Sequence, residues 1–326
     1  ASGALPTRRR RTRPTGWWDR RDERRKIKKV KREPMAQPPA VALARRMWVL
    51  LEAVHGVTYF TAPARAAHEA VGLRGFWRGY FAMRAAPLGP VGPAVVTAVF
   101  HSFAPRMVAR ALPQVWSQVT PAVALRARVD GAVAALRRHG APPPGEGGIA
   151  DAVAVLRRVV TELDPAGRPM GAANAALPWP EEPLAALWQA ATVLREHRGD
   201  GHVAVLTAEG VGGCQAHVLR DAADGSRELT QAHRGFTDDE WDAAAAALRR
   251  RGLLERDGRL APAGARLRAA VEARTDELSA PPWQVLSDAE VDHLHAVLGP
   301  LAARLAGGAI PYPNPVGAPP PPAATA

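Results

Sequence analysis

The chain has 326 residues, of which 47% are hydrophobic and 23% are charged, and its formal net charge is +12 at pH 7. This length suits two domains of ordinary size, and the apolar fraction is enough for a sizeable core. The single cysteine, Cys214, excludes an internal disulfide framework and is typical of a cytoplasmic protein. Because no apolar run approaches 18 residues and no signal peptide is recognisable, we expect no membrane span and a cytoplasmic location.

The positive charge is concentrated at the N-terminus. Residues 1–34 contain 14 of the 43 basic residues and only 4 of the 31 acidic ones, so the remainder is close to neutral. This leader is either a basic arm that binds along the phosphates of a nucleic acid, or sequence upstream of the natural start of the protein. Met35 is a suitable first residue in the second case. We favour the second interpretation and expect the leader to be disordered when free, since it has little to bury.

A helical pattern begins at Ala42 and continues to residue 138. Pro63, Pro93 and Pro105 each precede an apolar periodic stretch, and proline is favourable at the first position of a helix. A longer helix is predicted for residues 121–138. The next ten residues, 139–148, are rich in proline and glycine and are predicted to be a linker.

The linker divides the chain into two predicted helical domains, residues 35–138 and residues 149–306. In the second domain a strong helix follows Pro183, and we expect it to end near residues 197–202, where two glycines interrupt the sequence. The Pro/Ala-rich tail, residues 307–326, is expected to be mobile.

Residues 229–275 predict a helix-turn-helix followed by a small hairpin. Thr237 and Glu240 have the spacing of a capping box, which predicts a helix from Asp238 onward, and Gly252 ends it. Two short apolar runs then flank Asp257-Gly258, a tight-turn signal, before a last helix. The predicted fold class is therefore mainly α, with two helical lobes and a C-terminal winged helix.

The charges of this winged helix leave its role open between DNA binding and packing or dimerisation. The N-terminal turn of the predicted recognition helix carries four carboxylates, which repel phosphates. The basic candidates for DNA binding lie at the other end of that helix and in the hairpin: Arg249, Arg250, Arg251, Arg256 and Arg259.

Histidines and aromatic residues suggest a site for a small ligand. Glu52, His55 and Tyr59 recur at helical spacing, and His197 and His202 bracket a short HRGDGH segment. Imidazole and carboxylate can bind a metal or transfer protons, but only if His55 meets one of the other two histidines in space. We assign no metal ligand and leave any cofactor unknown. The candidate ligand-binding residues are Glu52, His55, Tyr59, Trp77, Tyr80, His197 and His202.

Several long blocks resemble an actinobacterial family of helix-turn-helix proteins, from residue 41 to residue 317. The blocks are ARRMWVLLEAVHGVTYF, LRGFWRGYFAMRAAPLGPVGPAVVTAVFHSF, LWQAATVLREHRGDGHVAVL and IPYPNPVG. The resemblance implies a helix-turn-helix fold but no particular activity. It also implies an aromatic residue at the position of His101, so we assign that histidine no role.

The sequence favours a transcriptional regulator that binds DNA, as a monomer or a homodimer, with an N-terminal lobe that senses a small ligand. One alternative is an enzyme or metal-binding protein that uses Glu52, His55, His197 and His202 on a winged-helix scaffold. Another is a non-catalytic interaction module.

Overall fold

The computed structural model describes residues 39–323, so the basic leader at residues 1–34 lies outside the described residues. Within residues 39–323 the protein is mainly helical, as predicted, and no β-strand is present. The helices are α1 (Pro39–Phe60), α2 (Ala62–Ala70), α3 (Phe76–Ala85), α4 (Pro93–Phe100), α5 (Pro105–Ala109), α6 (Pro121–Arg138), α7 (Ile149–Thr161), α8 (Pro169–Ala175), α9 (Pro183–Ala208), α10 (Gly213–Asp224), α11 (Arg227–Arg234), α12 (Asp238–Arg250), α13 (Pro262–Ser279) and α14 (Asp288–Gly308).

Local sequence signals set where many of these helices begin. Prolines occupy the first turn of α2, α4 and α5, as predicted, because the missing N–H has no helical partner there. The predicted capping box is confirmed, because Thr237 and Glu240 start α12. A second capping box, formed by Ser287 and Glu290, starts α14.

Helix α9 lies at the centre of the fold. It is 26 residues long and is buried around its whole circumference, which explains why its sequence is apolar on every face. Helices α1, α6, α7, α8 and α13 all contact it. The largest hydrophobic cluster joins α9 to α1, α6, α7 and α14, so this cluster includes residues from both sides of residues 139–148. The division into two lobes stays a prediction.

The expected end of α9 near residues 197–202 is wrong, because the helix runs without a break to Ala208. Gly201 is needed for close packing instead of for a break. A Cβ atom built there would collide with the guanidinium of Arg168, which donates a hydrogen bond to the His197 carbonyl at 2.9 Å. Likewise, a Cβ atom on Gly171 of α8 would approach Cα of His197 to 2.8 Å.

The helix-turn-helix consists of α11, a turn at residues 235–237, and α12. Trp241, Ala244, Ala245 and Leu248 of α12 are buried, as the sequence indicated. They belong to a separate hydrophobic cluster formed with α10, α13 and the end of α9.

The predicted hairpin wing is reduced to one antiparallel bridge between Leu254 and Leu260. The neighbouring hydrogen bond from the Ala261 N–H to the Leu253 carbonyl measures 3.1 Å. Gly252 ends α12 on one side and Pro262 begins α13 on the other, so only nine residues lie between Gly252 and Pro262. A two-stranded wing is therefore not seen in the described residues.

The residues that follow α14 pack against the rest of the protein, although the sequence predicted a mobile tail. Ile310, Asn314 and Ala318 are all less than 10% exposed. Ile310 packs beside Gly56 of α1.

No single helix between residues 39 and 323 combines the length and apolar character that a membrane crossing requires. One bent pair, Phe76–Leu88 and Pro93–Phe100, has the required length and apolar character only when its two halves are taken together, and these halves meet at 90°.

A candidate ligand cavity beside the helix-turn-helix

A cavity of about 850 Å³ lies between the helix-turn-helix region and the rest of the fold. Helices α1, α3, α4 and α9 line one side, α10, α11 and α13 line the other, and residues 311–317 complete the wall. This volume falls within the range that small-molecule sites occupy in proteins.

Aromatic side chains form the wall contributed by α1 and α3. The Tyr80 ring is central: its centroid lies 5.3 Å from that of Tyr59, 5.6 Å from that of Trp77 and 6.1 Å from that of Phe76. Trp77 also lies 6.4 Å from His233 of α11, which places the helix-turn-helix against this wall. Such a surface favours a flat apolar group.

Charged residues from α3 and α9 form the adjoining wall. Arg84 binds Glu196 with two hydrogen bonds, from Nε at 2.9 Å and from Nη2 at 3.0 Å. Arg195 lies 3.0 Å from the same carboxylate and 3.4 Å from Glu52. Burial opposes the charged form of Glu196, yet Arg84 and Arg195 together hold the pKa of that carboxyl well below its usual range. The network therefore stays ionised inside the protein.

Arg234, at the end of α11, is a cavity cation that this network does not neutralise. Its Nη2 donates to the Pro315 carbonyl at 2.8 Å, and its guanidinium lies 4.5 Å from the centre of the Phe103 ring. Its buried Nε has no hydrogen-bond partner within residues 39–323. Burial lowers the pKa of Arg234, and the nearby Arg84 guanidinium acts in the same direction. An uncompensated charge of this kind attracts an anion.

His101 enters the cavity from a strained backbone. It follows α4 with φ 52° and ψ −49°, and the Ser102 N–H bonds the Phe100 carbonyl across it. That arrangement is a γ-turn of the rare, strained type with positive φ. It is the only non-glycine residue with positive φ in residues 39–323. Because strain of this kind concentrates at functional sites, His101 becomes a candidate ligand-binding residue. The family resemblance had given it no role.

Three other titratable groups line the same cavity. Burial raises the pKa of Asp200 to about 6, and it lowers the pKa of His217 to about 3. Burial also lowers the pKa of His202, whose Nδ1 lies 3.1 Å from the Thr275 hydroxyl. His217 is therefore neutral at pH 7, and its Nε2 donates to the Ser102 carbonyl at 3.1 Å.

The structure brings some of the predicted ligand-binding residues together and separates the others. Tyr59, Trp77, Tyr80 and His202 all line the large cavity. Glu52 lies behind it, joined through Arg195. His55 bonds Tyr59 at 2.8 Å and Thr192 at 3.0 Å in a small neighbouring pocket.

His197 faces a third pocket on a different side of α9, so His55, His197 and His202 do not converge. His197 and His202 are five residues apart on α9, and five residues turn a helix through about 500°, so these two side chains point in different directions. Between residues 39 and 323 no group of three or more His, Cys, Asp or Glu side chains is placed to hold a metal. Burial raises the pKa of the Cys214 thiol to about 11, so it is not a reactive thiolate.

The five predicted DNA-binding arginines are all exposed, but they differ in their contacts. Arg251 donates two hydrogen bonds of 2.8 Å to the carbonyls of Glu209 and Gly210, where it caps the end of α9. Arg259 pairs with Asp257 at 2.8 Å. The remaining three, Arg249, Arg250 and Arg256, have no salt-bridge partner in the described part of the chain.

The N-terminal turn of α12 is held against the body. Glu240 pairs with Arg106 at 2.5 Å, and Asp238 pairs with Arg227 at 2.6 Å. The Ala104 N–H bonds the Arg234 carbonyl at 2.9 Å. These contacts neutralise two of the four carboxylates and fix the turn of the helix-turn-helix to the segment that carries His101.

Sequence reasoning missed Arg84, Arg195 and Arg234 as cavity residues. The run Arg195-Glu196-His197-Arg198 within an otherwise apolar helix was the available signal, since charges in a buried helix need partners. Arg84 carried no such signal, because its partner Glu196 is 112 residues away.

Together these features define a mainly helical protein with a helix-turn-helix and a ligand-sized cavity beside it. A family model described as a helix-turn-helix family matches residues 44–311, which is most of the chain. The chain therefore belongs to this helix-turn-helix family, and that membership suggests DNA binding. Comparison with curated proteins and with solved structures gives no match.

Proposed function

We propose that the protein is a DNA-binding transcriptional regulator whose affinity for DNA responds to a small molecule in the cavity. One observation carries this proposal. The cavity is walled on one side by α11 of the helix-turn-helix together with α10 and α13, and on the other side by the body. An occupant therefore contacts both sides, so it stabilises one arrangement of the helix-turn-helix over others.

The segment of residues 100–107 supplies a physical connection between the cavity and the DNA-binding element. Phe100, His101 and Ser102 line the cavity. A few residues later, Arg106 bonds Glu240 at the start of α12 and the Gly235 carbonyl in the turn before it. A shift of this segment on ligand binding would move the turn of the helix-turn-helix.

We propose that the DNA-facing surface is formed by Arg249 and Arg250 at the end of α12 and by Arg256 and Arg259 in the short hairpin. All four are exposed. In this proposal residues 229–275 act as a winged helix with a shortened wing, and phosphate contacts outweigh contacts to base edges. A homodimer would present two such surfaces to two half-sites. We propose a cytoplasmic location for this DNA-binding protein.

The test is the binding of a labelled DNA fragment from upstream of the protein's own gene, followed by fluorescence anisotropy over a range of salt concentrations. The assay uses the full chain and a variant without residues 1–34, since the leader alone carries 14 basic residues. We expect both proteins to bind. The double substitution Arg250→Ala and Arg256→Ala should reduce the slope of log K against log salt by about 2, because each phosphate contact contributes about 0.9.

Arg138→Ala, an exposed arginine at the end of α6, is the matched control and should leave the slope unchanged. The proposal fails if DNA binding disappears without residues 1–34, or if the double variant keeps the original slope.

A further inference from the structure

We infer that the cavity binds a planar apolar molecule that carries one anionic group, with Arg234 as the residue that receives the anion. This inference rests on the proposed function only in taking the cavity as the sensing site. It is carried by the charge balance of the cavity, by the position of Arg234 and by the aromatic wall.

The charge balance of the cavity is positive. Six arginines and four carboxylates line it. Three of the carboxylates already have cationic partners: Glu196 binds Arg84 and Arg195, Asp224 binds Arg220, and Glu272 binds Arg45.

The fourth carboxylate, Asp200, accepts a hydrogen bond from the Gly171 N–H at 2.8 Å and therefore points toward α8. Burial also raises the pKa of Asp200 to about 6, so this carboxylate loses its charge when the pH falls below that value. Arg234 and Arg268 have no carboxylate within salt-bridge distance in residues 39–323. The cavity therefore keeps positive charge that an anion would balance.

Arg234 occupies the place where this charge meets the aromatic wall. The Tyr80 hydroxyl lies next to it and accepts a hydrogen bond from Arg84 Nη1 at 3.1 Å. That hydroxyl keeps its own proton for an acceptor on the ligand. A carboxylate or sulfonate beside Tyr80 would pair with the guanidinium of Arg234, which lines the cavity, and guanidinium groups match such anions geometrically.

The aromatic wall selects the rest of the ligand. Tyr59, Phe76 and Trp77 surround Tyr80, so a ring attached to the anionic group would stack beside them. Pro311, Pro313 and Pro315 also line the cavity, and the Pro315 carbonyl accepts a hydrogen bond from Arg234. A ligand that is polar throughout would leave the aromatic surface exposed to water, and an uncharged one would leave Arg234 uncompensated.

The experiment uses two fluorescent probes that differ only in charge. Anilinonaphthalene sulfonate carries a sulfonate, and phenylnaphthylamine is the same molecule without it. Both become fluorescent on entering an apolar cavity, so direct titration of the full chain gives a Kd for each. We expect tighter binding of the sulfonate.

Arg234→Gln should weaken binding of the sulfonate by about tenfold or more, because a charge-assisted hydrogen bond is lost, while the Kd of phenylnaphthylamine changes by less than about twofold. Arg234→Lys should restore part of the preference. Arg268→Gln is the second variant, since this half-buried side chain lines the cavity and makes no salt bridge in residues 39–323, and it should weaken only the sulfonate.

Two controls locate the probes. Val203→Trp places a large side chain in the cavity and should abolish binding of both probes, whereas Arg266→Gln, an exposed neighbour on α13, should change neither. The inference is overturned if Arg234→Gln and Arg268→Gln affect both probes equally, or if Val203→Trp leaves the sulfonate bound. These outcomes involve no DNA. Failure to bind DNA would overturn the proposed function and leave the anion preference standing.

Discussion

Replacing Glu196 with glutamine tests whether the buried charge network has the stability that its geometry implies. The carboxylate is 2% exposed and receives three short contacts, from Arg84 Nε and Nη2 and from Arg195 Nη1. Glutamine keeps the size of the side chain but leaves two guanidinium groups without their shared counter-charge. Removing one partner of a buried ion pair costs about 3–5 kcal/mol, and we expect Glu196→Gln to lower the free energy of unfolding by that amount.

The assay is urea unfolding at pH 7, followed by tryptophan fluorescence and by circular dichroism. Glu277→Gln is the matched control, because Glu277 pairs with Arg274 on the surface, where both side chains are at least half exposed. That change should cost no more than about 0.5 kcal/mol. A loss below about 1 kcal/mol for Glu196→Gln, or equal losses for the two variants, would refute the role given to the network. The substitution should also tighten binding of anilinonaphthalene sulfonate, since it adds to the positive charge of the cavity.

Three further substitutions test the elements that connect the cavity to the helix-turn-helix. Burial lowers the pKa of His217 to about 3, so the free energy of unfolding declines as the pH falls below about 6.5, where the unfolded chain takes up a proton that the folded protein does not. His217→Gln keeps a hydrogen-bond donor but cannot titrate. It should therefore remove about 2 kcal/mol of the decline between pH 7 and pH 5, measured by urea unfolding. Gly213→Ala drives a methyl group into the His101 carbonyl and should lower the melting temperature, whereas Gly299→Ala, with open space around it, should not. Thr237→Ala removes the capping box of α12 and should cost about 1 kcal/mol in chemical unfolding.

Elements that depend on neighbouring residues could be predicted from the sequence. Thr237 and Glu240 are three residues apart, and their hydrogen bonds involve only the first turn of α12, so spacing alone was sufficient. The same holds for the prolines that begin α2, α4 and α5. The wing was overestimated, because the turn signal at Asp257-Gly258 is real but Gly252 and Pro262 confine it to a single bridge.

Features that depend on distant partners could not be predicted. Gly199 and Gly201 have the local character of a helix end, yet α9 continues through both. The space beside Gly201 holds the guanidinium of Arg168, a contact that no local pattern indicates. Tyr59, Trp77 and Tyr80 were candidates for their chemistry, but Arg234 comes from another part of the chain. Arg84 is four residues from Tyr80, yet its partner Glu196 is 112 residues away. The strain at His101 is a property of backbone angles, which no residue pattern in this segment indicated.

The most direct test of the account is the affinity for the upstream DNA fragment with and without saturating anilinonaphthalene sulfonate, in the wild-type protein and in Val203→Trp. If the cavity and the helix-turn-helix are coupled, the probe should change the Kd for DNA in the wild type by at least about fivefold, which corresponds to about 1 kcal/mol of coupling. It should have no effect in Val203→Trp. An unchanged Kd in a wild-type protein whose cavity is occupied by the probe would contradict the account.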